Sequence, residues 1–291
     1  MNIVINLDKP KGISSQQAVS RIKRIFGLKK AGHAGTLDPI ATGILLVCTG
    51  EATKITRFLS DLDKEYLAVM KLGEKTDTYD AEGIVTERIE GFSLQKDEVE
   101  KAARMFTGAI EQSPPMFSAV KIKGRPLYKL ARKGITVERA KRLVNVHSIE
   151  ITAFDLPFVE LRISCSKGTY VRSLCHDIGE VLGVGAHVVD LRRTRTGDFS
   201  AGDSVTIDAL GAAVPKCIPK SRSVSEALNH LGEIVLTHAD FVRARQGLPF
   251  RFRGANILSG DFVRVKDPTG ALFAIGKAVD SLIRIERMLH I

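Results

Sequence analysis

The apolar residues of this chain change period along its length, and they do so without a regular alternation. Residues 3–7 and 66–72 read as strands, as do residues 158–163, where apolar positions alternate with Glu160 and Arg162. Residues 44–48 form a short unbroken apolar run and read as a buried strand. Between these lie stripes of helical spacing. Val19, Ile22, Ile25 and Phe26 stop at Gly27, and Val99, Ala102, Ala103 and Phe106 stop at Gly108. Val171, Leu174, Cys175, Ile178, Val181 and Leu182 stop at Gly183. The first stripe opens with Ser14-x-x-Gln17, a capping box. A doubly wound sheet needs strand and helix at even β-α-β spacing, which is missing, so the pattern points to an α+β fold. After about residue 228 the texture becomes short strands with glycine turns, such as Gly260-Asp261 and Pro268-Thr269-Gly270. The expected division is a larger domain at 1–228 and a small β-rich one at 229–291.

Composition narrows the partner. The chain has 43 Lys and Arg against 33 Asp and Glu, a net charge of +10, and is 44% hydrophobic, as globular proteins are. The excess is uneven: residues 1–60 hold nine basic and three acidic side chains, 61–110 seven and twelve, and 111–150 nine and three. Two basic blocks around an acidic one suggest a face for a polyanion, bound through counterion release. Net charge alone leaves open an ordinary basic protein with no such partner. Residues 112–135 combine Pro114-Pro115 with Lys121, Lys123, Arg125, Lys129, Arg132 and the aromatics Phe117 and Tyr128, a mixture that suits an exposed basic lobe. Cys48, Cys165, Cys175 and Cys217 have neither C-x-x-C nor zinc-like spacing, which argues against a zinc ribbon and a disulfide framework. Residues 1–7 lack the basic opening of a signal peptide and the apolar runs are too short for a membrane span, so a cytoplasmic protein is expected.

G-x-x-x-x-G-K-[ST], G-x-G-x-x-G, H-E-x-x-H and G-x-S-x-G are all missing, and the seven histidines do not cluster. No metal or organic cofactor is implied. Two segments carry chemistry instead. In A-G-H-A-G-T-L-D-P-I-A-T-G (residues 31–43), glycines surround His33, and Pro39 keeps Asp38 out of the α conformation. The same pattern fits a plain glycine turn in which Asp38 caps a backbone N–H, and G-H-A-G also fits a nucleic-acid loop, though Pro39 falls where the following helix would start. In S-K-G-T-Y-V-R-S (residues 166–173), Lys167 and Arg172 stand at a helix start. There they make a site for an anion, whether a phosphate or Asp38, or are simply solvated charges.

Taken in order, the motifs resemble one family, the bacterial tRNA pseudouridine synthases of the TruB type. The matching segments are D-K-P-K-G (8–12), G-H-A-G-T-L-D-P-I-A-T-G-I-L (32–45), G-E-A-T-K (50–54), D-K-E-Y (63–66) and T-D-T-Y-D-A-E-G (76–83). S-P-P-M-F-S-A-V-K (113–121), K-G-T-Y-V-R-S-L (167–174) and G-A-H-V-V-D-L-R-R (185–193) continue the series. The resemblance implies a pseudouridine synthase fold with a mixed, largely antiparallel central sheet, and a shortened PUA-like RNA-binding domain at the C-terminus. It implies isomerisation of the T-loop uridine at position 55 of tRNA by a lone-acting monomer, without cofactor or metal. Asp38 would be the catalytic carboxylate, with Arg172 paired to it and keeping it ionised. His33 would fill the space left by the flipped uridine, Tyr66 would stack on the base, and Tyr170 and Leu191 would line the uracil pocket. Residues 112–135 would clamp the RNA through Lys121, Lys123, Arg125, Lys129 and Arg132. Two alternatives keep the basic face: a synthase acting on another RNA, guide-dependent or not, and a non-catalytic RNA-binding or tRNA-folding protein. An accessory tail would leave a folded enzyme when removed near residue 228.

Overall fold

A computed structural model describes residues 1–291 except 119, 123, 213–217, 219 and 253–256. Strand β1 (Ile3–Lys9) leads into helix α1 (Ser15–Ile25), whose N-cap Ser14 accepts from Gln17 N while the Gln17 side chain accepts from Ser14 N. Ala18, Val19 and Ile22 are its buried face, and Gly27 ends it at φ +59. Next come β2 (Ala31–Ala34), β3 (Thr42–Thr49), a 3-10 turn at Gly50–Ile55 and the short α2 (Thr56–Ser60). In β4 (Lys64–Leu72) burial alternates strictly. A hairpin of β5 (Glu74–Thr76) and β6 (Val85–Arg88) precedes α3 (Lys96–Arg104) and β7 (Gly108–Gln112). The basic segment holds a small hairpin, β8 (Lys121–Ile122) with β9 (Arg125–Pro126), and one helical turn, α4 (Leu127–Ala131). The long pair β10 (Arg142–Asp155) and β11 (Phe158–Cys165) leads to α5 (Val171–Val181) and β12 (Ala186–Thr196). Short elements follow: β13 (Phe199–Ser200), β14 (Val205–Thr206), α6 (Ile207–Ala212), β15 (Ser221–Ser223) and α7 (Val224–Ala227).

The central sheet runs β14-β1-β3-β12-β4-β11-β10-β7, with β2 added to β3, β13 to β12 and β15 to β1. Among the described residues of this sheet only the β1–β14 and β3–β12 pairs are parallel. The expected α+β class and largely antiparallel sheet are therefore present. A second sheet, β16-β18-β19-β20-β17, is built from β16 (Gly232–Val235), β17 (Phe250–Arg251), β18 (Phe262–Lys266), β19 (Leu272–Val279) and β20 (Leu282–Met288). Helix α8 (His238–Arg245) accompanies it. Among the described residues no helix is long and apolar enough to cross a membrane.

The two faces of β1 and β3 explain the unbroken apolar run at 44–48. Leu45 and Val47 join Ile5 and Leu7 in a core with Val19, Ile22, Leu174 and Ile178 from the helices. Ile44, Leu46 and Cys48 join Val4 and Phe58 in a second core that includes Leu272, Ile275 and Leu289. The C-terminal sheet thus covers the other side of the central one. Polar contacts tie the same seam. Lys54 Nζ donates to Met288 O at 3.0 Å, Glu51 accepts from His290 N at 2.9 Å, and the Arg57 guanidinium sits against the rings of Phe58 and Phe262. Most of the G-E-A-T-K motif's polar side chains are spent here, away from Asp38.

The glycine-rich segment hides one element the pattern did not show. Ala31–Ala34 is a strand, with His33 opposite Val47 of β3, because its backbone pairing needs no bulky side chain. The basic segment also differs at its start. Gln112 belongs to β7 and is 2% exposed, while Leu127 in α4 is wholly buried. The lobe is rooted in the sheet, and at least one of its side chains is withdrawn from solvent.

Candidate active site

Asp38 stands on the connection from β2 to β3, which is tied down from three sides. Ser15 Oγ on α1 accepts from Leu37 N at 2.8 Å and donates to Leu37 O at 2.9 Å. Gly12 N donates to Pro39 O at 2.8 Å. From β12, the buried Arg193 donates through Nε to Ile44 O at 2.7 Å and through Nη2 to Gly35 O at 3.0 Å. One guanidinium therefore staples the two ends of the loop. Gly43 takes φ +93 against β12, where a Cβ would meet Arg193 O at 2.2 Å, so no other residue fits.

Asp38 meets two charged elements. Arg172 Nε of α5 lies 2.9 Å from Asp38 Oδ2, with its N–H not aligned on that oxygen, so the contact is an ion pair more than a straight hydrogen bond. Its Nη1 pairs with Asp80 Oδ2 at 3.0 Å and donates to Thr78 O at 2.8 Å, and its Nη2 donates to Phe117 O at 2.8 Å. The Arg172 side chain is 3% exposed and that of Asp38 33%. Burial pushes the Asp38 carboxyl above its ordinary range, with Arg172 and Lys9 opposing and Asp80 adding to the rise. Arg172 therefore offsets only part of the desolvation, less than its expected role in keeping Asp38 ionised. Lys9, buried at the end of β1, donates to Pro10 O and Ile13 O; burial pulls its ammonium down to about 8, and Asp38 opposes. Glu82 is also raised, first by burial and then by Asp80 and Asp38.

Two cavities open on either side of the Asp38–Arg172 pair. One, of about 300 Å³, is lined by Tyr66, Tyr170, Leu191, Lys64 and Arg193 together with Asp38 and Arg172. Tyr66 and Leu191 enter from adjacent strands, β4 and β12. Burial raises the Tyr66 phenol, with Arg193 opposing through charge and a side-chain hydrogen bond. Tyr170 caps α5, and its backbone is held on both sides by Gln112, whose Oε1 accepts at 2.7 Å and whose Nε2 donates at 3.0 Å. The other cavity, of about 450 Å³, takes in His33, Asp80, Glu82, Phe117, Tyr128 and Arg132. The expected site residues thus divide: Tyr66, Tyr170 and Leu191 share one cavity, His33 and Arg132 the other, and Asp38 and Arg172 border both.

Arg125, Lys129 and Arg132 are exposed, and Arg132 lies 5.7 Å from the Tyr128 ring centre. Lys123 and the side chain of Lys121 lie outside the described residues. Lys167 does not join Arg172; it reaches the surface and pairs with Asp61 at 2.9 Å. Asp80, Lys9, Lys64, Arg193 and Gln112 were not singled out in the sequence, although each stands within or beside a matching motif. Among the described residues no cluster of His, Cys, Asp and Glu could hold a metal ion.

Residues 23–171 match the TruB family pseudouridylate synthase N-terminal domain, and residues 172–239 the tRNA pseudouridylate synthase B C-terminal domain. A tRNA pseudouridine synthase B of Clostridium tetani is 51% identical over 210 residues, 72% of this chain and 73% of that protein. That of Saccharophagus degradans is 43% identical over 293 residues, 95% of this chain and 92% of its own. Among solved structures, one of an H/ACA RNP bound to a substrate RNA containing 2′-deoxyuridine includes a chain with a TM-score of 0.76 and 28% identity, over 99% of this chain and 85% of that one. With matches from residue 23 to residue 239 and likeness to whole relatives, the chain belongs to the TruB family of pseudouridylate synthases.

Proposed function

We propose that this protein isomerises uridine to pseudouridine in tRNA, at position 55 of the T-loop, with Asp38 as the catalytic carboxylate. The observation that carries this reading is the carboxylate itself. It is raised by burial, paired to a buried arginine, and set at the mouth of a cavity with two tyrosines and a leucine. The reaction breaks the N1–C1′ bond, turns the uracil, joins C5 to C1′, and exchanges the C5 proton for one on N1. Oxidation state is unchanged, so the inventory needed is a carboxylate, a shaped pocket and a proton acceptor.

Uridine inside folded RNA must leave its stack, at a cost of about a few kcal/mol that stacking and backbone contacts offset. Tyr66 would supply the stacking face and Tyr170 and Leu191 the walls of the uracil pocket. His33, in the second cavity, would take the place the base vacates. Arg125, Lys129 and Arg132, with Lys121 and Lys123, would hold the T-arm backbone. Residues 229–291 would form a PUA-like domain that adds RNA affinity to a catalytic domain at 1–228. The protein would act as a cytoplasmic monomer. The basic segment at 112–135 favours action without a guide RNA.

The test is incubation with unmodified tRNA and with an isolated T-arm stem-loop, followed by mapping of pseudouridine. Wild type should modify position 55 in both, and Asp38→Asn should bind the RNA yet form none. Full turnover by Asp38→Asn would refute the assignment, and modification elsewhere would move the substrate.

A further inference from the structure

Helix α5 carries Arg172 and His176 four residues apart, on one face. Both reach the turn that follows β5. Arg172 takes hold of Thr78 O and Asp80, on either side of Tyr79. The Tyr79 ring lies flat on His176, with ring centres 3.9 Å apart and planes 12° from parallel. Tyr79 adopts φ +63, a left-handed conformation that is rare for an aromatic residue, so contacts rather than local preference keep the turn in place. Val188 N of β12 donates to Tyr79 O at 3.1 Å, and Ala81 N returns a bond to Val188 O at 2.9 Å. Thr78 Oγ1 then donates to Asp80 Oδ1 at 2.6 Å. His176 Nδ1 is buried with no hydrogen-bond partner among the described residues, so the imidazole holds Tyr79 by its face. Burial pulls that ring below the usual imidazole range, with Glu180 and a backbone hydrogen bond at Ala186 opposing and Lys75 adding to the effect. Two residues one helical turn apart thus grip three consecutive residues of the turn.

We propose that the Tyr79–His176 stack is a positioning pair for the isomerisation. It fixes the left-handed turn that presents Thr78 O and Asp80 to Arg172, and through them fixes the guanidinium against Asp38. The inference rests on the reading of Asp38 as the acting carboxylate. Neither ring lines the cavity that holds Tyr66, so the stack acts through the turn, by its hold on Arg172 and by the placing of Asp80 beside Asp38.

The test compares His176→Ala, His176→Phe and Tyr79→Gly in the full chain with wild type and Asp38→Asn, using a T-arm stem-loop in steady state and single turnover. His176→Ala and Tyr79→Gly should lower kcat by about tenfold or more, with KM within about threefold of wild type. His176→Phe restores a flat partner and should keep kcat within about threefold. Glycine accepts φ +63 without strain, so a loss in Tyr79→Gly is not the effect of a strained backbone, and the His176→Phe rescue ties it to the ring stack. Should His176→Ala fail to fold, Tyr79→Gly decides the matter. The proposal is overturned if either folded variant keeps wild-type kcat, if the loss lies in KM, or if phenylalanine gives no rescue. Wild-type turnover by Asp38→Asn in the same assay would instead remove the reading of Asp38, and so the two failures are told apart.

Discussion

Replacing Arg172 by methionine probes the pairing at the centre of the site. The change keeps the length of the apolar stem and removes a charge whose Nε lies 2.9 Å from Asp38 and whose Nη1 lies 3.0 Å from Asp80. With charge centres ~4 Å apart and an effective dielectric of ~20, such a pair is worth ~4 kcal/mol. The Asp38 side chain is 33% exposed, and solvent screening reduces that to roughly 2 kcal/mol. At about 1.4 kcal/mol per pKa unit, the loss lifts the Asp38 carboxyl by about 1.5 units. That carboxyl already lies above its ordinary range because burial disfavours its charge, and the proposed reaction uses it ionised. Activity is therefore lost as pH falls through a raised value, and the variant loses it at higher pH still. In a profile of kcat/KM against pH on a T-arm stem-loop, the acid limb should move up by about 1.5 units. RNA affinity should change little. Asp80 sets a control, because its charge also raises Asp38. The double variant Arg172→Met/Asp80→Asn should bring the limb part of the way back. Removing one partner of a buried pair costs about 3–5 kcal/mol of stability, so the melting temperature is measured first. An acid limb that stays in place in a folded, RNA-binding variant would refute the pairing as the control on Asp38.

Three further outcomes follow from the packing. Gly43→Ala forces a Cβ to 2.2 Å from Arg193 O at φ +93; it should destabilise the fold by ~2 kcal/mol or more, and wild-type stability in denaturant would contradict the close approach. Lys129→Glu and Arg132→Glu should weaken tRNA binding and lower the slope of log K against log salt by ~1 for each phosphate no longer neutralised; an unchanged slope would place the docking face elsewhere. Truncation after Leu228 uncovers the face that Leu272, Ile275 and Leu289 bury on Val4, Ile44 and Phe58. The shortened chain should therefore melt well below the full one, whereas equal melting would make the C-terminal sheet a true accessory.

That last prediction differs from what the sequence alone suggests, and the reason is physical. Residues 44–48 are apolar at every position, which shows that the strand is buried without showing what buries it. Half of the cover comes from helices whose stripes are plain in the sequence, such as Val19 and Ile22. On the other face Phe58, Leu59 and Leu228 share the cover with strands more than 200 residues away, whose alternation could as well have closed on itself. The helices were legible because their caps and stops are local. Ser14 with Gln17 starts α1 and Gly27 ends it within one short window. Strand β2 was not legible, because Ala31–Ala34 has almost no side chains with which to show a period.

The charged site poses the same problem in sharper form. A cation in the first turn of a helix opposes the dipole, and Arg172 read locally promises an anion without saying whether it is a phosphate or Asp38. Its anions are the protein's own, Asp38 and the unforeseen Asp80, and its backbone partner Thr78 lies 94 residues away. Asp38 before a proline and Asp80 in an acidic loop each look like ordinary turn chemistry where they stand. A period of two or 3.6 says which face of one element is apolar; it does not say that a charge on that face is matched from another element. Yet a trace is present. Lys9 continues the inward row of Ile5 and Leu7, Lys64 begins the inward row of Tyr66, Ala68 and Met70, and Arg193 follows Leu191 on the same face of β12. An unmatched cation at such a position would be expelled or neutralised, because burying it alone is too unfavourable. Arg193 finds its acceptors at the two ends of the loop from β2 to β3, Lys9 on Pro10 O and Ile13 O and Lys64 on the carbonyls of Ser60 and Leu62, and all three lie beside that loop. Arg193 binds Gly35, the Lys64 stem passes beside Gly35, and Lys9 faces Asp38. A cation that extends the apolar row of a strand is thus a sign, readable in the sequence, that another segment closes over that row, and here the closing segment carries the carboxylate.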